Sequence, residues 1–301
     1  ALLHIVDASG SINEKGEICE PGAGSPLADY YDIEDELIRW YMKNIADNAE
    51  KIRKMILNKG MSTSRALFEV LAGIKVKEWQ INEALERTNL QEVPFIDWDN
   101  EDLKAFATEI RYISKPTLIV ANKMDIPIAE KNFRGLQEAL GEKFVVPCSA
   151  EVELMLRRAT KAGAIEYIPG EEGFRIKDES KLTPRQKWAI NYVQSRIFDK
   201  WLTTGVDQAL SIVVFKLLKM NVVYPVEDPK KFSDSKGNVL PDAILMPQGA
   251  TPFDLAKEIH SDLAEGFLYA IDAVTGIRLP KDYTLRDRDV ISIVSTRKKK
   301  S

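Results

Sequence analysis

The fold of this chain is decided by the run Pro116-Thr-Leu-Ile-Val-Ala121, which is followed directly by the tetrad Asn122-Lys123-Met124-Asp125. A short apolar run that ends in polar residues is typical of a buried strand that delivers polar side chains to a loop. An Asp carboxylate in such a loop can accept two hydrogen bonds from one edge of a ligand, which makes a strong and specific contact. The alternative is an ordinary strand-to-loop turn with a polar cap.

A second short apolar run, Phe144-Val-Val-Pro-Cys148, ends in the pair Ser149-Ala150. Between the two runs, residues 130–140 carry apolar side chains three and four positions apart, which predicts an amphipathic helix. The whole stretch therefore predicts strand–helix–strand, the repeating unit of an α/β protein with a parallel sheet. Open parallel sheets bind ligands beyond the carboxyl ends of their strands, and both polar loops fall there. The two loops together favour a ligand site over a simple turn.

These two loops resemble the base-reading loops of Ras-like GTPases. The resemblance implies that the Asp125 carboxylate accepts hydrogen bonds from N1–H and N2–H₂ of guanine, a pair of donors that adenine lacks. It also implies that the Asn122 amide holds the base edge and that the Lys123 stem lies flat on the purine ring. The turn Ser149-Ala150 would present a backbone N–H to guanine O6, and its small side chains would allow close approach of the base. Met124 is expected to pack near the purine.

A phosphate cradle is missing from the sequence. No G-x-x-x-x-G-K-[ST] motif occurs, and the nearest string, over 135–143, has the wrong spacing. The chain opens directly on an apolar strand over 1–7, whose backbone would lie at an open sheet edge without a neighbour. We therefore expect the P-loop, the switch regions and the Mg²⁺ ligands to lie upstream of Ala1, so that this chain holds no catalytic and no metal-binding residue. The rival interpretation is a complete chain that binds no nucleotide.

The composition predicts an ordinary globular protein of two or three domains. The chain has 301 residues, of which 45% are hydrophobic and 29% charged, and its net charge of −4 gives no global nucleic-acid signature. Its two cysteines, Cys19 and Cys148, do not make a disulfide framework and fit a reducing compartment. No run of residues is long and apolar enough to span a membrane. These features predict a cytoplasmic protein.

A helical insertion is predicted between the two strands that begin at Ala1 and Pro116. Residues 9–29 contain several Gly and Pro and are expected to form a loop. Apolar residues then recur at helical spacing over 33–56, which predicts one long helix that closes near Lys59-Gly60. Further helical segments over 62–90 complete an antiparallel hairpin with coiled-coil character. The tip of this hairpin is a secondary candidate for partner binding.

More helices are expected after the insertion. One should begin at Asp99, whose carboxylate can cap the first turn. The Ser149-Ala150 turn should lead into a helix over 152–162. Thr183-Pro184 supplies an N-cap and a first-turn proline for another helix, with Trp188 on its buried face. A last helix is predicted over 208–218.

The carboxyl-terminal part of the chain shows short strands around one helix. Strands are predicted over 222–226, 243–246, 267–271 and 290–294. The helix should run from Pro252 to Ala264 with Thr251 as its cap. This pattern favours a compact α+β β-grasp domain. His260 and His4 are expected to be structural. The chain ends in a short basic run that is expected to be solvated, with RNA phosphate contact as the alternative.

Nearly the whole chain resembles the Obg-like, YchF-type branch of the Obg GTPases. The likeness rests on the opening strand and its insertion, both polar loops, the phrase over 161–170 and the segments over 249–256 and 266–270, which are similar to a TGS domain. It implies an α/β fold with a partial Ras-like P-loop NTPase sheet whose N-terminal strands are absent. The implied divisions are a G domain over 1–33 and 99–218, a coiled-coil insert over 34–98, a TGS domain over 219–297 and a basic tail over 298–301.

The resemblance also implies a function. It implies a cytoplasmic protein that binds GTP and GDP, hydrolyses GTP with Mg²⁺ and works as a switch connected with the ribosome or translation. Many YchF-type members carry a degenerate base motif and prefer ATP, whereas this chain keeps the full Asn-Lys-x-Asp, which favours GTP. The alternatives are an ATPase of the same fold and a non-catalytic RNA- or ribosome-binding adaptor. The residues carried over as the nucleotide site are Asn122, Lys123, Asp125, Ser149 and Ala150.

Overall fold

A computed structural model of the protein describes residues 1–141 and 145–296. The chain divides into two compact units, Ala1–Val213 and Val214–Ser301. The first unit combines a parallel sheet with helices, and the second unit has a mixed sheet with its own buried core. The predicted basic tail, 298–301, lies outside the described residues.

The first unit contains a parallel sheet in which the strand order is β1-β2-β3. Its strands are β1 (Leu2–Asp7), β2 (Thr117–Asn122) and β3 (Val145–Pro147). The central strand β2 is buried along its apolar run, as a parallel strand with both faces covered should be. The register pairs Asp7 with Asn122, and Ala121 with Pro147. The polar residues that follow these strands therefore meet at one edge of the sheet.

Between β1 and β2 the chain forms a cluster of helices with a core of its own. These helices are α1 (Pro26–Asp47), α2 (Ala49–Lys59), α3 (Thr63–Leu71), α4 (Glu78–Arg87) and α5 (Asn100–Ser114). One buried cluster takes residues from all of them, including Ile45, Ile52, Leu67, Ile81 and Phe106. Because α5 packs against both α1 and α4, the segment is a helical cluster. The predicted coiled-coil character of this segment is not confirmed.

Local signals set most of the helix ends. Ser25 caps α1, so that the loop predicted over 9–29 ends earlier than expected. Gly60 ends α2 in the left-handed conformation (φ 61°), and Asp99 caps α5, both as predicted. The long helix predicted over 33–56 is interrupted at Asn48, whose ψ of 6° leaves the helical region. Asn48 donates its side-chain amide to the Asn44 carbonyl, a local bond that competes with helix continuation.

Further helices of this unit follow β2. They are α6 (Ala129–Leu140), α7 (Ala150–Lys161), α8 (Pro184–Val193), α9 (Asp199–Trp201) and α10 (Val206–Ser211). Of these, α6, α7 and α8 share one buried core with the strands. A short hairpin is formed by β4 (Ile165–Glu166) and β5 (Arg175–Ile176). Two helices continue as π-helical turns, α8 over Gln194–Phe198 and α10 over Ile212–Leu217. The expectation that Trp188 is buried on α8 is wrong, because this side chain is 65% exposed.

The second unit is a mixed sheet with helices, as its pattern of short strands predicts. The strand order is β7-β6-β10-β8-β9, with β6 (Met220–Pro225), β7 (Ile244–Pro247), β8 (Phe267–Asp272), β9 (Arg278–Leu279) and β10 (Asp289–Ser295). Thr251 caps α11 (Pro252–Ile259) as predicted, but the helix breaks at His260 and resumes as α12 (Ser261–Glu265). The His260 Nδ1 accepts the Asp262 N–H at 3.1 Å, so this residue is a helix cap.

Candidate nucleotide-binding site

The ends of β1 and β2 are joined by an ion pair. Lys123 leaves β2 in the left-handed conformation (φ 67°), and its Nζ lies 3.0 Å from Asp7 Oδ2. The same Nζ donates to the Ser11 hydroxyl at 2.8 Å. Burial by itself would raise the pKa of Asp7, but hydrogen bonds from Ser9, Lys123 and Ser11 hold it below its ordinary value. The Lys123 ammonium is therefore held by a charged carboxylate where β1 and β2 end.

The two polar loops that the sequence singles out contact each other. The Ala150 N–H donates to Asn122 Oδ1 at 3.1 Å. The Met124 N–H donates to the Cys148 carbonyl at 3.1 Å, and the Cys148 N–H donates to the Ala121 carbonyl at 2.8 Å. The structure thus brings the Asn122 loop and the Ser149-Ala150 turn together at the carboxyl ends of β2 and β3.

A reciprocal pair of hydrogen bonds fixes the Asp125 carboxylate. The buried Ser149 hydroxyl accepts the Asp125 N–H at 2.9 Å and donates to Asp125 Oδ1 at 2.8 Å. Tyr192 on α8 donates its hydroxyl to the Asp125 carbonyl at 2.8 Å. Among the described residues no hydrogen bond reaches Asp125 Oδ2. This arrangement leaves one carboxylate oxygen of a fixed side chain ready to accept.

Behind Ser149 lies a buried network that sequence reasoning missed. The Ser149 N–H donates to the Thr204 carbonyl at 2.8 Å. Thr204 and Tyr167 both donate their hydroxyls to Glu153 Oε2 at 2.6 Å, and Arg157 Nε lies 2.6 Å from Glu153 Oε1. Burial would raise the pKa of Glu153, but these hydrogen bonds hold it below its ordinary value. In the sequence, the i, i+4 spacing of Glu153 and Arg157 predicts their ion pair. No residue near Thr204 in the sequence predicts its hydrogen bond to Glu153.

Gly205 follows this network and presses closely against the loop that carries Ser149. It adopts φ 83°, and a Cβ placed on it would lie 1.9 Å from the Pro147 carbonyl oxygen. A residue with a side chain would therefore push the two backbones apart. Gly205 fits here because it has no Cβ and tolerates the left-handed conformation.

A cavity of about 190 Å³ opens next to Asp125 between α7 and α8. It is lined by Asp125, Glu151, Val152, Met155, Trp188, Ala189, Tyr192 and Val193. Sites that enclose whole ligands usually measure roughly 300–1,000 Å³. This cavity is therefore large enough to enclose only part of a ligand.

Other candidate groups prove to be structural. Burial raises the pKa of the Cys148 thiol to about 11, with the Glu153 charge as a smaller cause, so this thiol is protonated and inert. The His4 ring stacks on Tyr30 with ring centroids 5.3 Å apart, and its Nδ1 lies 3.8 Å from Glu34 Oε1. Within residues 1–141 and 145–296, no group of three or more His, Cys, Asp or Glu side chains could hold a metal ion. In the same part of the chain, every helix is too short or too polar to cross a membrane.

Comparison with known proteins identifies related sequences along the whole chain. Family models match at 120–228, described as Obg-like GTPase YGR210-like, G4 motif-containing domain, and at 236–295, described as TGS domain. A GTP-binding protein of Methanocaldococcus jannaschii is 40% identical over 298 residues, which covers 99% of this chain and 74% of that protein. The crystal structure of a GTP-binding protein from Pyrococcus horikoshii is 37% identical with a TM-score of 0.78, over 98% of this chain and 78% of that chain. The YchF GTPase of Schizosaccharomyces pombe gives a TM-score of 0.51 at 14% identity, over 98% of this chain and 72% of that chain, which shows a likeness of fold alone.

Proposed function

Because this chain belongs to the Obg-like, YchF-type family of GTP-binding proteins, we propose that Asn122, Lys123, Asp125, Ser149 and Ala150 form its guanine-reading site. The observation that carries this proposal is the reciprocal hydrogen bonding between Ser149 and Asp125. It places a fixed carboxylate at the carboxyl edge of a parallel sheet, where such sheets bind ligands.

Asp125 would decide which base is accepted. Ser149 holds both the N–H and Oδ1 of Asp125, so the carboxylate is oriented before any ligand arrives. Asp125 Oδ2, together with the second lone pair of the Oδ1 that accepts the Ser149 hydroxyl, can accept N1–H and N2–H₂ of guanine as a charge-assisted fork. Adenine has no matching donors, and leaving the carboxylate unpaired against it is costly.

Asn122 and Ala150 would contact the opposite side of the same base edge. Ala150 is the first residue of α7, and its N–H lies at the positive end of the helix dipole. Guanine O6 would accept this N–H, which now donates to Asn122 Oδ1. The Asn122 amide would then be released to hold the base and the neighbouring loop.

Lys123 would supply a surface for the purine ring. Its ammonium is held by Asp7 and Ser11 at 3.0 and 2.8 Å, so its methylene stem is anchored at both ends. An anchored Lys stem can cover apolar surface while its charge remains paired. The flat face of the purine is such a surface.

We further propose that the intact protein hydrolyses GTP with Mg²⁺ and acts in the cytoplasm as a switch connected with the ribosome or with RNA. Membership of the Obg-like GTPase family and the match to a TGS domain support this proposal. Phosphoryl transfer depends mainly on positioning and on electrostatic stabilisation of the phosphates. The residues of this chain would contribute by binding and orienting the base. Ribosome co-sedimentation that is identical with GTP, with GDP and without nucleotide would contradict the switch.

Base preference tests the proposed site directly. The intact protein is titrated with a fluorescent guanine nucleotide in the presence of Mg²⁺, and GTP and ATP are compared as competitors. We expect GTP to compete strongly and ATP weakly. Asp125→Asn should shift the preference from guanine to xanthine nucleotides, whereas Asp47→Asn, an exposed carboxylate at the end of α1, should leave it unchanged. Competition by ATP that equals or exceeds that of GTP would refute guanine reading by Asp125 and favour an ATPase of the same fold.

A further inference from the structure

The cavity beside Asp125 has an aromatic side that the guanine-reading loops do not provide. Helix α7 contributes Glu151, Val152 and Met155 to its lining, and α8 contributes Trp188 and Tyr192. Residues of both helices and Asp125 thus line the same cavity.

Trp188 is exposed and yet held in place. Its side chain is 65% exposed, but its ring stacks on Tyr192 with centroids 5.2 Å apart and an interplanar angle of 22°. The Arg196 guanidinium lies 5.8 Å from the centroid of the Tyr192 ring. Residues spaced by four lie on one face of a helix, so the three side chains form a stack along α8 and its π-helical continuation. An exposed indole held in this way is a flat surface that is ordered before any ligand arrives.

Tyr192 also connects this stack to the base-reading loop. Its hydroxyl donates to the Asp125 carbonyl at 2.8 Å. Ser149 binds the carboxylate of Asp125, and Tyr192 binds its main-chain carbonyl. The position of Asp125 therefore depends on α8 as well as on the two loops.

We propose that Trp188 and Tyr192 form an aromatic wall of the guanine site, an inference that rests on the proposed function of Asp125. Trp188 contacts the bound purine beside the Asp125 fork and excludes water from it, since hydrogen bonds strengthen when water is removed. Tyr192 is a positioning residue that aligns the Asp125 fork with N1–H and N2–H₂. Trp188 thus adds to affinity for the base, and Tyr192 adds to discrimination between bases.

The test compares GDP with inosine diphosphate, whose base lacks the N2 amino group. Calorimetric titration of the intact protein should give a wild-type preference for GDP. Trp188→Ala should weaken both ligands by about tenfold, in line with the usual contribution of an aromatic contact to a nucleobase. Trp188→Phe should restore part of that loss. Tyr192→Phe keeps the ring and loses the hydrogen bond to the Asp125 carbonyl, so it should lower the ratio of GDP to inosine diphosphate affinity.

Trp79→Ala is the matched control, because Trp79 is a 56% exposed indole on α4. It should leave both affinities unchanged, and circular dichroism should show that every variant is folded. If Trp188→Ala binds GDP like the wild type while the wild type still prefers GTP to ATP, the aromatic wall is refuted and the proposed function stands. An unchanged ratio in Tyr192→Phe refutes its positioning role. A wild type without base preference refutes the proposed function and this inference together.

Discussion

Gly205→Ala should destabilise the protein at the backbone that packs against the Ser149 turn. The new Cβ would lie 1.9 Å from the Pro147 carbonyl oxygen and 2.9 Å from the Cys148 Cα, so backbone must move. Residues other than glycine lose about 1–2 kcal/mol in the left-handed region, and overpacking costs typically a further 1–3 kcal/mol. We therefore expect the free energy of unfolding to fall by about 2–5 kcal/mol.

Gly163→Ala is the control that separates these two causes. Gly163 also has a positive φ, 73°, but a Cβ placed on it meets no atom within 4 Å. It should lose about 1–2 kcal/mol, the conformational cost alone.

Denaturant titration followed by tryptophan fluorescence is the appropriate assay. All five tryptophans of the chain fall within the unit Ala1–Val213, so the signal reports on that unit. Guanine-nucleotide affinity should fall in Gly205→Ala and stay unchanged in Gly163→Ala, because Thr204 holds the Ser149 N–H next to the clash. Equal losses of stability in the two variants would show that the close approach at Pro147 has no energetic role and would refute this reasoning.

Three further predictions follow from buried ionisable groups. Glu34→Ala should lower the free energy of unfolding by about 3–5 kcal/mol, because it removes the carboxylate whose Oε1 lies 2.6 Å from Nη2 of the 1% exposed Arg111 side chain. A loss below about 1 kcal/mol in denaturant titration would contradict this expectation. The pKa of Glu153 is held below its ordinary value of 4.5. Its contribution to stability is therefore fully present above that pH and is lost as pH falls through the lowered pKa. Glu153→Gln should weaken this acid dependence in denaturant titrations between about pH 3 and 6. Iodoacetamide should modify the partly exposed Cys19 before the buried Cys148, whose pKa is raised to about 11. Mass spectrometry after timed quenching would show the order of labelling, and faster labelling of Cys148 would contradict its burial.

The sequence predicts those parts of the fold that are encoded locally. The apolar run before Asn122 gives a strand because its side chains are buried on both faces. The caps at Asp99 and Thr183 and the left-handed Gly60 give helix ends, because each acts within a few residues of its own position.

Two kinds of feature could not be predicted in this way: local breaks in a helix, and contacts with distant parts of the chain. The interruption at Asn48 and the break at His260 arise where a side chain bonds the backbone locally, and this bonding overrides an unbroken apolar periodicity. The spacing of Trp188 predicts a buried side chain on the apolar face of α8, yet Trp188 lines a cavity beside Asp125. The same limit applies to the contact between Thr204 and Glu153, which the sequence separates widely.

The pairing of β1 with β2 has a consequence for the order of folding. These strands are neighbours in the sheet, yet the chain leaves β1 at Asp7, builds the whole helical cluster, and returns at Thr117. Closing a flexible loop costs more as it lengthens, by about 0.6 kcal/mol for each doubling, and non-local pairing slows folding. The backbone hydrogen bonds within α1 to α5 are local, so these helices should form early. The packing of α5 against α1 then draws the two strands together. During refolding, helical circular dichroism should therefore recover before the Lys123–Asp7 contact and the binding of nucleotide, and simultaneous recovery would show that the two steps are one.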